Sequence, residues 1–586
     1  MNIFNIFKDE LRVIINKLSN NLDVKIDENK LDIFTVEPCR EEKNGDIATN
    51  IAMVFAKDFK KSPRLLADII ILEVKNNPNI KKIEVAGPGF INIFLKFDIL
   101  QQFLSDILIC DEIPLPQIGN GQKINIEYAS PNPTGPMHIG HARGAIYGDI
   151  LANLLNKTGF DISKEYYIND AGSQIDNLVK SVYLRYLELF DHKIEISEGL
   201  YPGEYLIPIA KKVKDKYQDS LIDKKESKYL DLIRDLVVDE MIKLITTNLL
   251  EMGIEHDVLF SEKKELHDKN KIRESIDILH KKGLIYKGVI EPPKGKKLDN
   301  FKPKEQLLFK STNFGDDMDR VLQKSDGSYT YFAADIAYCL NKFERGAKKM
   351  ILPLGFDHAG YVKRLTAAAN AITDGKAKLK IILCQMVKFL KNGESLKMSK
   401  REGNFITVTD VINEVGIDIL RFMMMSRKND MEINFDLEEV VKQSKDNPVF
   451  YVQYAHTRCH SVMRNLLEVN PDLLNLIKKD TIDVNILSNL THPAEISLIK
   501  KLILYPRIIE MSVTHYEPHR IAFYLQELSA QIHFLWNAGI EDDNLRFIIK
   551  GNDSLTKARI YMLMASAKII SSALNIFNIK PLTQML

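Results

Sequence analysis

Two imidazoles three residues apart, His138 and His141, stand where a Pro/Gly-rich loop beginning at Ser130 gives way to a helical pattern. The first turn of a helix presents unpaired N–H groups and the positive end of the helix dipole, so it favours an anion, and two histidines there suit a phosphate. Gly140, Gly144 and Gly148 follow at helical spacing and bare one face, on which a planar ligand or a neighbouring backbone could approach closely. Such a face is costly in a helix that has no use for it. Much later the chain reads Lys-Met-Ser-Lys-Arg-Glu-Gly-Asn at 397–404. Taken alone, a loop with two lysines and an arginine is ordinary solvated surface. In a doubly wound sheet, however, the loops after the first and last strands converge at the carboxyl ends, where a nucleotide sits. Lys397 and Lys400 could then meet phosphates from the side opposite the histidines and cancel charge growing on a leaving pyrophosphate. That is the electrostatics of adenylyl transfer, with no covalent nucleophile required.

The elements needed to hold such a site are legible. Ile124, Ile126 and Tyr128 alternate as in a strand, a Pro/Gly loop follows, and a helix is expected from about His138 to Lys157. Helical patterns dominate 173–280, after which strand-like runs return at 284–291, 327–335, 349–356 and 380–390. A parallel α/β sheet split by a helical insertion is the expected core of the chain. Residues 446–586 read as a helical bundle, and the first 110 as a small α+β module with helices near 47–60 and after Pro63. A hairpin is expected about the turn at 87–89, and the linker candidate is 111–123, with two prolines and two glycines. The expected division is 1–110, 120–445 with its insertion at about 180–300, and 446–586.

Composition narrows the function classes. At roughly 150 residues per domain, 586 residues imply several domains. With 45% hydrophobic and 27% charged residues, disorder and collagen-like repetition are excluded. Lys+Arg 80 against Asp+Glu 79 leaves +1, so any nucleic acid must be held by local patches. Five cysteines are scattered without zinc spacing, which points to a reducing compartment and no structural metal. The first residues lack a secretory pattern, and no run approaches the ~18 apolar residues of a spanning helix. A soluble cytoplasmic chain is expected.

His-Ile-Gly-His at 138–141 and Lys-Met-Ser-Lys at 397–400 resemble the paired signatures of class I aminoacyl-tRNA synthetases. The passages around them, with those at 164–175, 354–364 and 449–458, are similar to the bacterial type of the arginyl-tRNA synthetase family over essentially the whole chain. The resemblance implies a multidomain α/β chain: a doubly wound, Rossmann-type parallel catalytic domain with a helical insertion, an N-terminal tRNA-binding α+β module and a C-terminal anticodon-binding α-helical bundle. It implies ATP as a substrate, with Mg2+, and tRNA(Arg) and arginine as partners of a monomer without zinc or membrane attachment. His138, Gly140, His141, Lys397 and Lys400 would carry catalysis, and Gly355, Asp357, His358, Met398 and Ser399 would join them around ATP. Glu127, Ser130 and Asn132 would hold arginine at its amino end, and Tyr331 and Asp335 would face its guanidinium. A guanidinium has five donors and no acceptor, so a carboxylate is its natural partner.

For tRNA the resemblance implies Phe90 and Asn92 in the N-terminal module, and Tyr454 and Arg458 one turn apart in the bundle, stacking on unpaired bases. Tyr451 and Gln453 lie beside them, and the sole tryptophan, Trp536, reads as core. One departure concerns the loop after the fourth strand, where some family members place a glutamine and this chain has Gly355-Phe356-Asp357-His358. Another class I synthetase, a small-molecule nucleotidyltransferase and a tRNA-binding paralogue with a dead site are the competing readings. The second has no need of the first 110 residues or of the bundle, and intact His138, His141, Lys397 and Lys400 oppose the third. Replacing Lys400 by Ala should lower kcat for adenylate formation on the order of 100-fold while arginine affinity stays nearly unchanged. ATP–pyrophosphate exchange measures both, and a raised KM for arginine with kcat intact would contradict this placement of the lysine.

Overall fold

The computed structural model describes residues 2–289, 304–395, 406–442, 447–479 and 484–585. Its centre is a five-stranded parallel sheet in the order Lys378–Cys384, Lys349–Gly355, Lys123–Glu127, Asp161–Ile168, Val258–Ser261. The chain starts in the middle, steps outward through two strands, then returns to the other side, so the winding reverses between Lys123–Glu127 and Lys349–Gly355. Ligands of open α/β sheets bind in the crevice at that reversal, beyond the carboxyl ends of the strands. The loops that leave those two strands carry Ser130 to His141 on one side and Asp357 and His358 on the other.

The structure departs locally from the sequence reading. The segment 327–335 was expected as a strand, but Thr330 takes an extended conformation and its hydroxyl caps the backbone N–H of Ala333, starting the helix Tyr331–Glu344. The alanines that follow are the best helix formers, and they outweigh the aromatic alternation before them. Within the stretch read as wholly helical, Val258–Ser261 is a four-residue strand completing the central sheet. The run after Ile285 does not rejoin that sheet. It pairs antiparallel in a separate three-stranded sheet of Ile285–Gly288, Gln306–Phe309 and Arg320–Gln323.

The insertion contributes Ser173–Glu188, Ile207–Tyr217 and Glu226–Glu251, packed on a core of their own around Leu178, Val182, Ile233 and Val237. At the N-terminus, a four-stranded antiparallel sheet is covered by Ile3–Asn21 and Pro63–Val74, and the expected hairpin joins Ile80–Ala86 to Phe90–Leu95. The helix expected near 47–60 is shorter: Ile47–Thr49 is a strand and the helix runs Ile51–Phe55. This module meets the bundle through Lys500–Asp46 at 2.6 Å and Asn2 Nδ2 to Glu510 Oε2 at 2.8 Å.

The bundle is built from Pro448–Val469, Pro493–Ile503, Tyr505–His515, His519–Glu541 and Asp553–Ile576, with a shorter Pro471–Lys479. Within it Arg559 pairs with Glu495, 2.6 Å apart and both buried, with the arginine also donating to the carbonyls of Asn544 and Arg546. Among the described residues, no helix is long and apolar enough to cross a membrane.

Candidate active site

The strand Lys123–Glu127 ends at the crevice, and the loop after it leads to the single turn Ile139–His141 and then the helix Ala142–Lys157. His138 is extended and His141 lies in the turn, yet their rings stack with centroids 3.7 Å apart. The two imidazoles thus form one surface at the helix entrance. The three glycines divide in role. A side chain on Gly148 would sit 2.4 Å from the Tyr128 ring, so this glycine lets helix and strand pack closely. One on Gly140 would press the His138 ring at 3.0 Å, whereas Gly144 faces open space.

Lys397, Met398, Ser399 and Lys400 lie outside the described residues, which resume at Ile406. Ile406 and Val408 pair with the histidine segment: the Ile139 N–H donates to the Ile406 carbonyl at 3.1 Å and the Val408 N–H to the Met137 carbonyl at 3.0 Å. His138 and Thr407 thereby form an antiparallel bridge. Ile406–Val408, six residues and more past the second motif in sequence, are thus stitched to the first by backbone hydrogen bonds. On the other rim Gly355 ends its strand and turns into Phe356–Tyr361, where Asp357 and His358 are largely exposed and 3.5 Å apart.

Beside this entrance is a pocket dominated by carboxylates. Asp335 is on the second turn of Tyr331–Glu344, so it is not the helix cap, a role that Thr330 fills. Burial, reinforced by the charges of Glu127 and Glu262, raises its pKa to about 7, against which Arg364 and Lys342 act. Glu262 is buried, immediately after Val258–Ser261, and is bonded by the Tyr167 hydroxyl and by His267 at 3.1 Å. The neighbouring Asp170 fixes its backbone, accepting from the Ser261 hydroxyl at 2.5 Å and from the Lys263 N–H at 2.8 Å. Sequence reasoning missed Glu262, which sits in a charged run that resembles a solvated helix face.

Glu127 does not stand alone: Lys342 meets its Oε2 at 2.6 Å, and the same ammonium lies over the Tyr338 ring. Beneath them Glu165 is wholly buried, yet the hydrogen bonds from Arg345 and Tyr338, with the Lys342 charge, outweigh burial and hold it below the usual carboxylate range. Asn132 belongs to an amide chain, donating to Gln174 at 2.8 Å and accepting from Asn169 at 3.2 Å. The Ser130 hydroxyl accepts from the Tyr167 N–H at 3.0 Å. Tyr331 is 63% exposed on the pocket rim near Gly172. Among the described residues there is no group of three His, Cys, Asp or Glu that could hold a metal ion.

The remaining candidates lie on the N-terminal sheet and on the bundle. Phe90 is exposed on the N-terminal sheet, but Asn92, two residues along, is 8% exposed. On the bundle, Arg458 is sandwiched: its guanidinium lies 4.3 Å from the Tyr454 ring centroid and 4.7 Å from that of Trp536, and it donates to His533 at 2.8 Å. Trp536 is half-buried and forms one wall of an aromatic–cation cluster. Gln453 is buried and bonded to the backbone of Lys580 and Leu582, and Tyr451 packs against His533.

Comparison with known proteins agrees with these features. Residues 103–466 match the family described as tRNA synthetases class I (R), catalytic domain; 452–585 match the DALR anticodon binding domain; and 5–95 match the arginyl tRNA synthetase N terminal domain. The chain is 47% identical over 582 residues to the arginine–tRNA ligase of Wolbachia pipientis wMel, covering 99% of this chain and 100% of that one. It is 48% identical over 594 residues to that of Bartonella henselae, covering all of both. The arginyl-tRNA synthetase structure from Thermus thermophilus shares the fold at a TM-score of 0.72 and 16% identity, over 99% of this chain and 100% of that one. With family models matching all three parts and full-length identity near one half, this chain belongs to the arginyl-tRNA synthetase family.

Proposed function

We infer that this chain activates arginine with ATP and passes it to tRNA, the reaction of the class I synthetases to which its catalytic part belongs. One observation carries the assignment of work within the site: the backbone bridge that brings the segment after Lys397–Lys400 onto His138, beside a pocket rich in buried carboxylate. In this reading the arginine carboxylate attacks the α-phosphorus of ATP, forming the mixed anhydride as pyrophosphate leaves. The 2′-hydroxyl of the terminal adenosine then attacks the arginyl carbonyl, and AMP departs. His138 and His141 meet the phosphates at the helix entrance, Gly140 leaves room for them, and Lys397 and Lys400 close from the opposite side as charge develops. Gly355, Asp357 and His358 border the nucleotide on the second rim.

Asp335 receives the guanidinium, with Glu262 behind it and Tyr331 across the mouth. Ser130, Asn132 and Glu127 orient the amino end. Because Lys342 occupies Oε2 of Glu127, that carboxylate offers the amino group its other oxygen. Mg2+ accompanies the ATP phosphates in this reading, since this ion ordinarily takes phosphate and water oxygens rather than a protein cage. Phe90 and Asn92 are assigned to the outer corner of the tRNA, and Tyr454 and Arg458 to the anticodon, with the N-terminal module, catalytic domain and bundle dividing the substrates among them. We assign the chain to the cytoplasm as a monomer.

Charging total tRNA with each of the twenty amino acids tests the assignment: arginine alone should be attached, and another amino acid, or none, would overturn it. A second expectation concerns pH. A bound guanidinium favours the Asp335 carboxylate, so binding lowers a pKa that stands near 7 in the free pocket. Arginine binding should therefore release a proton below pH 7, and the dissociation constant should rise roughly tenfold from pH 8 to pH 6. Equilibrium titration in buffers of different ionisation enthalpy separates this from the titration of the histidines, and a flat profile would remove Asp335 from the binding pocket.

A further inference from the structure

One helix of the insertion belongs to two cores. The first half of Glu226–Glu251 buries Tyr229, Ile233 and Val237 in the core of the insertion, where the Tyr229 and Tyr183 rings stack with centroids 3.7 Å apart. Its last turns bury Ile245 and Leu249 in the larger core that includes Ile139 and Ile146. There the side chain of Asn248, itself buried, accepts from the Met137 N–H at 3.2 Å and donates to the Thr409 hydroxyl at 3.1 Å. Thr409 in turn donates to Glu251 at 2.5 Å, at the entrance of the helix Val408–Val415. Met137 is wholly buried and directly precedes His138, and its carbonyl is already taken by the Val408 N–H. A buried backbone N–H must find an acceptor, and for Met137 the amide of Asn248 supplies it.

A second contact lies three residues back. The Tyr205 hydroxyl, from the turn before Ile207–Tyr217, donates to the Thr134 carbonyl at 2.7 Å. A side chain on Gly135 would meet that hydroxyl at 3.1 Å, so the loop lies directly against the tyrosine. The loop from Ser130 to His141 is thus fastened in two halves. Its start is held from the strand Asp161–Ile168: the Tyr167 N–H bonds the Ser130 hydroxyl at 3.0 Å, and the Tyr166 hydroxyl bonds the Pro131 carbonyl at 2.7 Å. Its end, from Thr134 to Met137, is held from the insertion. The start carries residues assigned to arginine, and the end leads into the histidines assigned to the phosphates.

We propose that Asn248 and Tyr205 are positioning residues through which the insertion sets His138 and His141 for the phosphates of ATP; this rests on the proposed function. The arginine pocket, fastened separately, does not depend on them. The test uses the full chain and measures arginine-dependent ATP–pyrophosphate exchange against ATP at saturating arginine and tRNA(Arg), with arginine affinity taken from calorimetry. Asn248→Leu keeps the volume but neither donates nor accepts. It should lower kcat/KM for ATP roughly tenfold or more, while the Kd for arginine stays within about threefold. Asn248→Asp keeps an acceptor for the Met137 N–H and should hold kcat/KM for ATP within about threefold of the wild type. Equal losses for ATP and arginine would mark a purely structural role and overturn the proposal. So would a folded leucine variant with the wild-type value for ATP, or an aspartate variant no better than leucine. If Asn248→Leu fails to fold, Tyr205→Phe, which deletes one hydroxyl, is read by the same two constants: a loss of about fivefold for ATP alone supports the proposal, and no loss, or an equal one for arginine, overturns it. A wild-type chain that makes no arginyl-adenylate would defeat the functional reading instead.

Discussion

Like charges held in a poorly hydrated crevice are the constraint on which this site turns. Glu127, Glu262 and Asp335 reach the carboxyl ends of the parallel strands from three separate segments, and their mutual repulsion adds to the cost of burying Asp335. Lys342 answers one of them through a 2.6 Å ion pair, and Arg345 answers the deeper Glu165 at 2.7 Å. The remaining negative field calls for a cation from outside. Arginine is suited to meet it, because its guanidinium stays charged at any relevant pH and matches a carboxylate in a planar fork.

The architecture serves that constraint from two directions. Parallel strands bring Glu127, Glu165 and Glu262 to one edge, since each lies at or just past a strand's carboxyl end or within the adjacent register. The helix Tyr331–Glu344 then lays Asp335, Tyr338 and Lys342 across that edge at helical spacing, so a single element supplies an acid, a ring and a counter-cation. The side proposed for phosphate is built separately. There a stacked histidine pair stands at a helix entrance, and the backbone of Met137–Ile139 is bonded to Ile406–Val408. Keeping anion-seeking and cation-seeking surfaces adjacent, on different elements, is what an enzyme joining an amino-acid carboxylate to a nucleotide requires.

Much of this was legible locally. The loop-to-helix transition at His138 follows from prolines and glycines before a periodic apolar run, and the bundle follows from sustained helical spacing. The glycine series was legible as a bare face, although the neighbour at Gly148 proved to be the Tyr128 ring rather than backbone or ligand. What was hidden depended on distant partners. Glu262 gains its character only from burial against Tyr167 and His267, and Lys342 lies 215 positions from Glu127. The strand Val258–Ser261 is too short for alternation to outweigh the helices around it, and the cover that Arg458 gives the half-buried Trp536 ring comes from a residue 78 positions away. The roles assigned to Phe90, Asn92, Tyr454 and Arg458 come from resemblance, because a surface aromatic has the same sequence signature whether it meets a base or solvent.

The central claim is that the carboxylate pocket selects its substrate by charge. Citrulline has nearly the shape of arginine but carries a neutral urea in place of the guanidinium, so the two amino acids isolate the charge. Calorimetric titration of each into the wild-type chain and into Asp335→Asn is the most direct measurement. The wild type should bind arginine at least about 100-fold more tightly than citrulline, and the variant should narrow that ratio to about tenfold or less, because a neutral amide no longer demands a cation. A variant that keeps the full discrimination would contradict the account and move the selecting charge elsewhere.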